Sequence, residues 1–206
     1  MLRISQRPAG YPVSLDEAKA QLRVTGTASD ALIGGMIGAA TAHCEALVQR
    51  AFVPRTFQWV LPHWRHVIEI PIAPVAYDAV HSIMFVDWAT ETQQTLDPAS
   101  YVVQTAGDSI RIFPKFGTCW PVLFSYAPEP IVIEFDAGYE DIDDLPPNVK
   151  AAILLQIRHL YSLGGRDPGL VKDSVIGVSE KGWQASADVA KMIPDAVTAL
   201  MLAEVW

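Results

Sequence analysis

Cysteine, charge and long hydrophobic runs are all scarce in this chain. Only Cys44 and Cys119 occur among 206 residues. They are isolated from each other and belong to no CxxC or Cys/His ligand pattern, so neither a disulfide framework nor a zinc site organises the fold. Charged residues make up 18%, and the 15 Lys and Arg are outnumbered by 23 Asp and Glu, giving a net charge of −8. That balance counts against a dedicated nucleic-acid binder, whose affinity comes from clustered Lys and Arg. It leaves room for DNA to slide past, because an acidic wall repels it. No apolar run reaches the roughly 18 residues of a membrane span. The stretch Met1 to Pro8 carries two arginines but no apolar signal core, so a soluble protein is expected. No GxSxG elbow, phosphate-binding glycine loop or EF-hand spacing occurs, and Gly34-Gly35 falls inside a helical pattern.

What is present is hydrophobic mass. Half the residues are hydrophobic, enough for a sizeable core in one domain or two small ones. The stretch from Glu134 to Gly165 organises the rest. A strand-like run, Ile131 to Phe135, leads through an acidic loop to Pro146-Pro147 and then a strongly apolar helix. Proline is tolerated in a helix's first turn, where its missing N–H bonds nothing anyway. Val149, Ala152, Ile153, Gln156, Ile157, Leu160 and Leu163 recur at three- and four-residue spacing, and Gly164-Gly165 supply a stop. This predicts a central core helix.

Upstream, Ser14-Leu15-Asp16-Glu17 is a capping-box signature that opens a short helix to about Arg23. A second helix is expected from about Asp30 to Arg50, with Leu32, Ile33, Met36, Ile37, Ala40, Cys44, Leu47 and Val48 on one face. Its Gly34, Gly35 and Gly38 permit close approach of a neighbour. Between Phe52 and Tyr139 short β-branched and aromatic runs are punctuated by prolines. Strands are expected at 56–61, 67–70, 79–86, 100–104, 109–113, 122–126 and 131–135. After Gly165, the sparse segment holding Val175, Ile176, Val178 and Trp183 suits a hairpin, or an arm ordered by a partner. A last amphipathic helix is expected after Pro194. The fold class is therefore α+β: a helical bundle of two N-terminal helices, the core helix and a C-terminal helix, with an inserted antiparallel β-sandwich or barrel-like domain. The expected divisions are 1–51, 52–140, 141–165 and 166–206.

Candidate chemistry is thin. Asp141, Asp143 and Asp144 have the oxygen ligands to hold a hard cation, but acids just before a helix also favour its positive end. His63 and His66 have metal-ligand spacing without a third ligand. His43 and Cys44, adjacent on a helix, point about 100° apart. His81, Ser82 and Asp87 form no triad pattern, and His159 lies on the polar arc of the core helix. Six tryptophans, Trp59, Trp64, Trp88, Trp120, Trp183 and Trp206, offer a stacking platform for a sugar or base, or else core. No catalytic residue, metal ligand or cofactor site is assigned, and the chain is expected not to be an enzyme. The rival readings are a β-sandwich carbohydrate- or ligand-binding module and a metal-dependent hydrolase built on the three aspartates.

The order of short motifs carries more. Pro12-Val13-Ser14-Leu15-Asp16-Glu17-Ala18-Lys19 through Val24 resembles the start of head–tail connector (adaptor, head-completion) proteins of tailed bacteriophages. Asp30-Ala31-Leu32-Ile33 and Ile37-Gly38-Ala39-Ala40 resemble that family's second helix. Phe57-Gln58-Trp59, Ile70-Pro71-Ile72-Ala73-Pro74-Val75, Leu96-Asp97-Pro98-Ala99-Ser100-Tyr101, Asp136-Ala137-Gly138-Tyr139 and Lys150-Ala151-Ala152-Ile153 follow in order. The resemblance covers about residues 10–165 and, more loosely, Ile193 to Leu202. It implies a non-enzymatic neck component of a virion, prophage particle or gene transfer agent, assembled in the bacterial cytoplasm. Such adaptors form a ring, typically of about twelve subunits, a closed heterologous assembly. The ring sits beneath the portal protein, extends the DNA channel without sequence-specific binding, and receives a stopper or tail-terminator protein. No membrane is involved. The resemblance also implies that the C-terminal helix docks on the portal, here through Val197, Leu200, Met201, Leu202, Val205 and Trp206. The ring contact is expected on the second helix, at Leu32, Ile33, Met36 and Ile37.

Overall fold

The computed structural model describes residues 1–6, 8, 10–164, 172–175, 179–182 and 187–202. The chain divides into two compact units, Met1–Gly10 with Gln49–Asp144, and Tyr11–Val48 with Leu145–Trp206.

The first unit is β. A five-stranded antiparallel sheet has the order β1 (Leu2–Ile4), β2 (Arg55–Leu61), β8 (Ile131–Ala137), β4 (Val80–Val86), β5 (Gln93–Thr95). A second sheet has the order β3 (Ile68–Glu69), β7 (Ser109–Pro114), β6 (Tyr101–Ala106). The expected strand at 131–135 is present as β8 and is central in its sheet, since it pairs with β2 along one side and β4 along the other. Alternation explains why: Ile131, Ile133, Phe135 and Ala137 are all buried, while Glu134 and Asp136 lie on the opposite face. Both sheets feed one hydrophobic cluster, to which β2 gives Phe57, Trp59 and Leu61, β4 gives Ile83 and Phe85, and β7 gives Ile110 and Ile112. Phe57 stacks on Phe135 with ring centroids 5.7 Å apart. The strands do not close into a barrel, because β1 and β5 end one sheet and β3 and β6 end the other.

Three details depart from the expected strands. The first ten residues, expected with the N-terminal helices, belong to this unit because β1 pairs with β2, Leu2 opposite Trp59. Of the run 122–126, only Leu123 forms an isolated bridge, to Asp87. It is flanked by Trp88 N–H donating to Val122 O at 3.3 Å and Phe124 N–H donating to Val86 O at 2.9 Å. The chain turns at 125–126 instead of extending a strand. Strand β5, which is wholly polar, had no hydrophobic signal.

The second unit is helical: α1 (Leu15–Leu22), α2 (Asp30–Val48), α3 (Pro147–Gly164) and α4 (Ala187–Leu202). The predicted capping box is complete, with Ser14 N–H donating to Glu17 Oε2 at 2.7 Å and Glu17 N–H donating to Ser14 Oγ at 3.2 Å. Arg23, in the left-handed region at φ 56°, ends α1. Lys19 Nζ then reaches Gly26 O at 2.6 Å and Asp30 Oδ1 at 2.7 Å, fixing the turn into α2. Helix α3 packs against α1, α2 and α4. Its Val149, Ala152, Ile153, Gln156 and Ile157 are buried, as the spacing predicts for a core helix. Helix α4 begins at Ala187, so Pro194 lies within it rather than before it. A separate antiparallel hairpin joins β9 (Lys172–Val175) to β10 (Ser179–Gly182). Trp183, Ile176 and Val178 lie outside the described residues.

Helix α2 is long and apolar enough, by length and composition, to cross a membrane, which the reading for apolar runs did not find. Its apolarity comes mainly from Leu32, Ile33, Met36, Ile37, Cys44, Leu47 and Val48. Six of its residues are buried, and it packs on α1, α3 and α4, as a core helix of its unit does.

Candidate interaction surfaces

The residues expected to carry a ring contact divide between two faces of α2. Ile33 and Ile37 are 0% and 3% exposed and belong to the unit's own core. Leu32 is 56% exposed, and Met36 is half-buried. The open face is defined by Leu32, Gly35, Ala39, Ala42 and Ala46, all exposed. It includes the exposed His43 but no Asp, Glu, Lys or Arg, since the acidic residues of α2 are Asp30, at its start, and the buried Glu45. The glycines divide likewise: a Cβ at Gly38 would meet Tyr11 Oη at 3.0 Å, whereas Gly34 and Gly35 have nothing within 4 Å. The sequence signal for this face was present in the run of small residues, but periodicity alone groups Leu32 with Ile33.

The C-terminal set divides in the same way. Val197 and Met201 are buried, Leu200 is half-buried and Leu202 is 49% exposed. Asn148 Nδ2 donates to Leu200 O at 3.2 Å, tying the start of α3 to α4. Val205 and Trp206 lie outside the described residues. A docking face on α4 is therefore open at Leu202 and partly at Leu200, while Val197 and Met201 hold the helix to its own unit.

The candidate chemical groups are placed as follows. Asp141, Asp143 and Asp144 are exposed, and Asp141 Oδ1 accepts from Asp143 N–H at 3.0 Å within a 3₁₀ turn. Among the described residues no cluster of three or more His, Cys, Asp or Glu is arranged to hold a metal. His63 and His66 are exposed in a loop. His81 sits at the β4 bulge, where Nε2 lies 2.8 Å from Asp136 Oδ2, and Asp136 Oδ1 accepts from Thr56 at 2.7 Å. A carboxylate between the two leaves no hydroxyl on the histidine to activate. Cys44 is buried, and desolvation, then the Glu45 charge, push its thiol up to about 12.

Among the described residues, the tryptophans do not form one open platform. Trp64 and Trp120 stack on each other at 4.8 Å and 9°. Their N–H groups donate to Pro121 O at 3.0 Å and Arg65 O at 2.7 Å. Trp59 is in the core. Trp88, 54% exposed, lies beside Phe124, which in turn meets Tyr126 edge-on at 5.9 Å. This exposed aromatic group comes from the 122–126 segment, so mistaking that segment for a strand concealed it.

The two-unit α+β fold is one found in the necks of gene transfer agent (GTA) particles. Thirteen chains among solved structures match it. A chain in the neck of an empty GTA particle, computed with C6 symmetry, is 25% identical with TM-score 0.66, over 98% of this chain and 94% of that one. A chain in the virion of a native GTA particle is 24% identical with TM-score 0.68, over the same shares. A chain in the neck of a native GTA particle, computed with C12 symmetry, is 23% identical with TM-score 0.66, covering 98% and 93%. No family model matches the sequence, and no curated protein matches it.

Proposed function

We propose that this chain is a structural, non-enzymatic adaptor in the neck of a phage-like particle. In this reading, copies form a ring beneath the portal, typically of about twelve subunits as a closed heterologous assembly allows. The ring extends the DNA channel and offers a platform for a stopper or tail-terminator protein. The observation that carries the reading is the likeness to GTA neck chains over 98% of this chain's length. Three features agree with it. The net charge of −8 suits a conduit past which DNA slides. The open face of α2, small and apolar apart from His43, suits subunit contact, and Leu200 and Leu202 on α4 suit docking to the portal.

The test is mass-spectrometric quantification of the protein in DNA-filled particles purified from the source cells, relative to the major capsid protein. The expected result is on the order of a dozen copies per particle, as for one closed ring. Absence from intact particles rejects the reading.

A further inference from the structure

Four strands end the two sheets of the β unit, and three are short: β1 and β5 have three residues each and β3 has two. The fourth, β6, is six residues long, Tyr101-Val102-Val103-Gln104-Thr105-Ala106, with no charge and no proline. Folded proteins normally blunt a sheet edge by shortness, charge, proline or a bulge, and β6 has none of these. Its partner β7 runs antiparallel, and just beyond the pair Lys115 N–H donates to Ser100 O at 2.9 Å. Alternation then turns the N–H and C=O of Val102, Gln104 and Ala106 toward β7 and those of Tyr101, Val103 and Thr105 toward the open side. Among the described residues no hydrogen bond reaches those three N–H groups from that side. Tyr101 and Val103 pack on the core cluster, which anchors the strand to its unit.

The molecule also holds a strand pair without a sheet. The β9–β10 hairpin pairs four residues with four and forms a two-stranded sheet of its own. An isolated two-stranded hairpin is marginal in water, and a third strand is the usual remedy. A closed ring needs two unlike patches on each subunit. We propose that the β9–β10 hairpin of one copy adds to the β6 edge of the next copy, giving a continuous intermolecular sheet at each subunit junction. This rests on the ring reading above. The joint is made by main-chain hydrogen bonds, so it is tolerant of side-chain identity along the edge.

The experiment uses particles carrying paired cysteines in a Cys119→Ser background, where buried Cys44 stays silent. Gln104→Cys, exposed on β6, is combined in turn with Asp173→Cys, Ser174→Cys, Glu180→Cys or Lys181→Cys, which sample two adjacent positions on each hairpin strand. After mild oxidation or a short bis-maleimide, at least one pair is expected to give a ladder of covalent oligomers on a non-reducing gel. That ladder is lost when either cysteine is present alone. Quantification of each variant in the particles shows that it folds and assembles. An intramolecular link alone places the hairpin on its own chain and overturns the proposal. A dimer from Gln104→Cys alone indicates β6 pairing with β6 and also overturns it. No link in particles that contain the protein overturns the edge pairing while leaving the neck reading standing. Absence of the wild-type protein from particles removes both.

Discussion

At the scale of single residues, the most constrained position is Gly138, in the turn that ends the central strand. Its φ is +130°, and a Cβ there would lie 2.5 Å from Val53 O and 2.7 Å from Pro54 N. Its N–H donates to Pro74 O at 3.0 Å, so the backbone cannot shift away without breaking that bond. Gly138→Ala therefore combines a disfavoured conformation with overpacking against backbone, a cost on the order of 3 kcal/mol. Gly107→Ala is the control. Its φ is +63° but nothing lies within 4 Å, so only the left-handed cost of about 1–2 kcal/mol applies. Urea denaturation of the two variants is expected to rank them in that order, and equal midpoints would reject the close-contact argument. The Asp136-Ala137-Gly138-Tyr139 motif was visible in the sequence. Its physical reason was not, because the Val53 carbonyl is far away in the chain.

At the scale of elements, legibility followed the strength of local signals. The capping box, the core-helix spacing and the β-branched and aromatic runs of β2, β4, β7 and β8 are local signals, and each of these predicted elements is present. Residues 1–13 read as extended, and β1 lies within them; β5 escaped because its three polar residues give no apolar signal, and it is placed by pairing with β4. Residues 122–126 have strand-like composition but turn instead, flanked by Pro121, Pro128 and Pro130. Pro194 suggested a helix start, whereas α4 continues through it, anchored by the burial of Val197 and Met201. The α1 cap gives a quantitative check. The Ser14 backbone N–H, then its hydroxyl, hold the Glu17 carboxyl below its ordinary value. A depressed folded pKa contributes stability that is present above the unfolded value of about 4.3 and is lost as pH falls through the folded one. Ser14→Ala is expected to cost about 0.5–2 kcal/mol at neutral pH. Glu17 is exposed, so its charge contributes at the low end. In Glu17→Gln the stability deficit relative to wild type should shrink as denaturation is repeated below the ordinary glutamate range. A deficit independent of pH would reject the carboxylate's role in the cap.

At the scale of the whole molecule, the decisive ambiguity was which apolar residues of α2 serve the core and which serve assembly. Helical spacing put Leu32, Ile33, Met36 and Ile37 together because all four are large and apolar. Packing separates them: Ile33 touches the interior of its unit, and Leu32 stands on the open face with Gly35, Ala39 and His43. One adjacent pair of substitutions therefore distinguishes folding from ring formation. Ile33→Asp places an uncompensated carboxylate in the core at a cost of several kcal/mol, enough to unfold a marginally stable unit. Its circular dichroism at 25 °C should lose helical signal. Leu32→Asp puts the same charge where water already reaches, so the melting curve should stay within about 0.5 kcal/mol of wild type in stability. If the open face of α2 makes the proposed ring contact, that charge is buried against the next subunit once per junction. The cost repeats at every contact, and the copy number per particle should fall well below that of wild type while the free protein remains folded. Leu32→Ala, which keeps the face uncharged, should retain most of the wild-type copy number. Undiminished incorporation of Leu32→Asp would remove α2 from the ring contact and leave it a core helix alone, with the β6 edge and α4 as the surfaces that remain to hold the assembly.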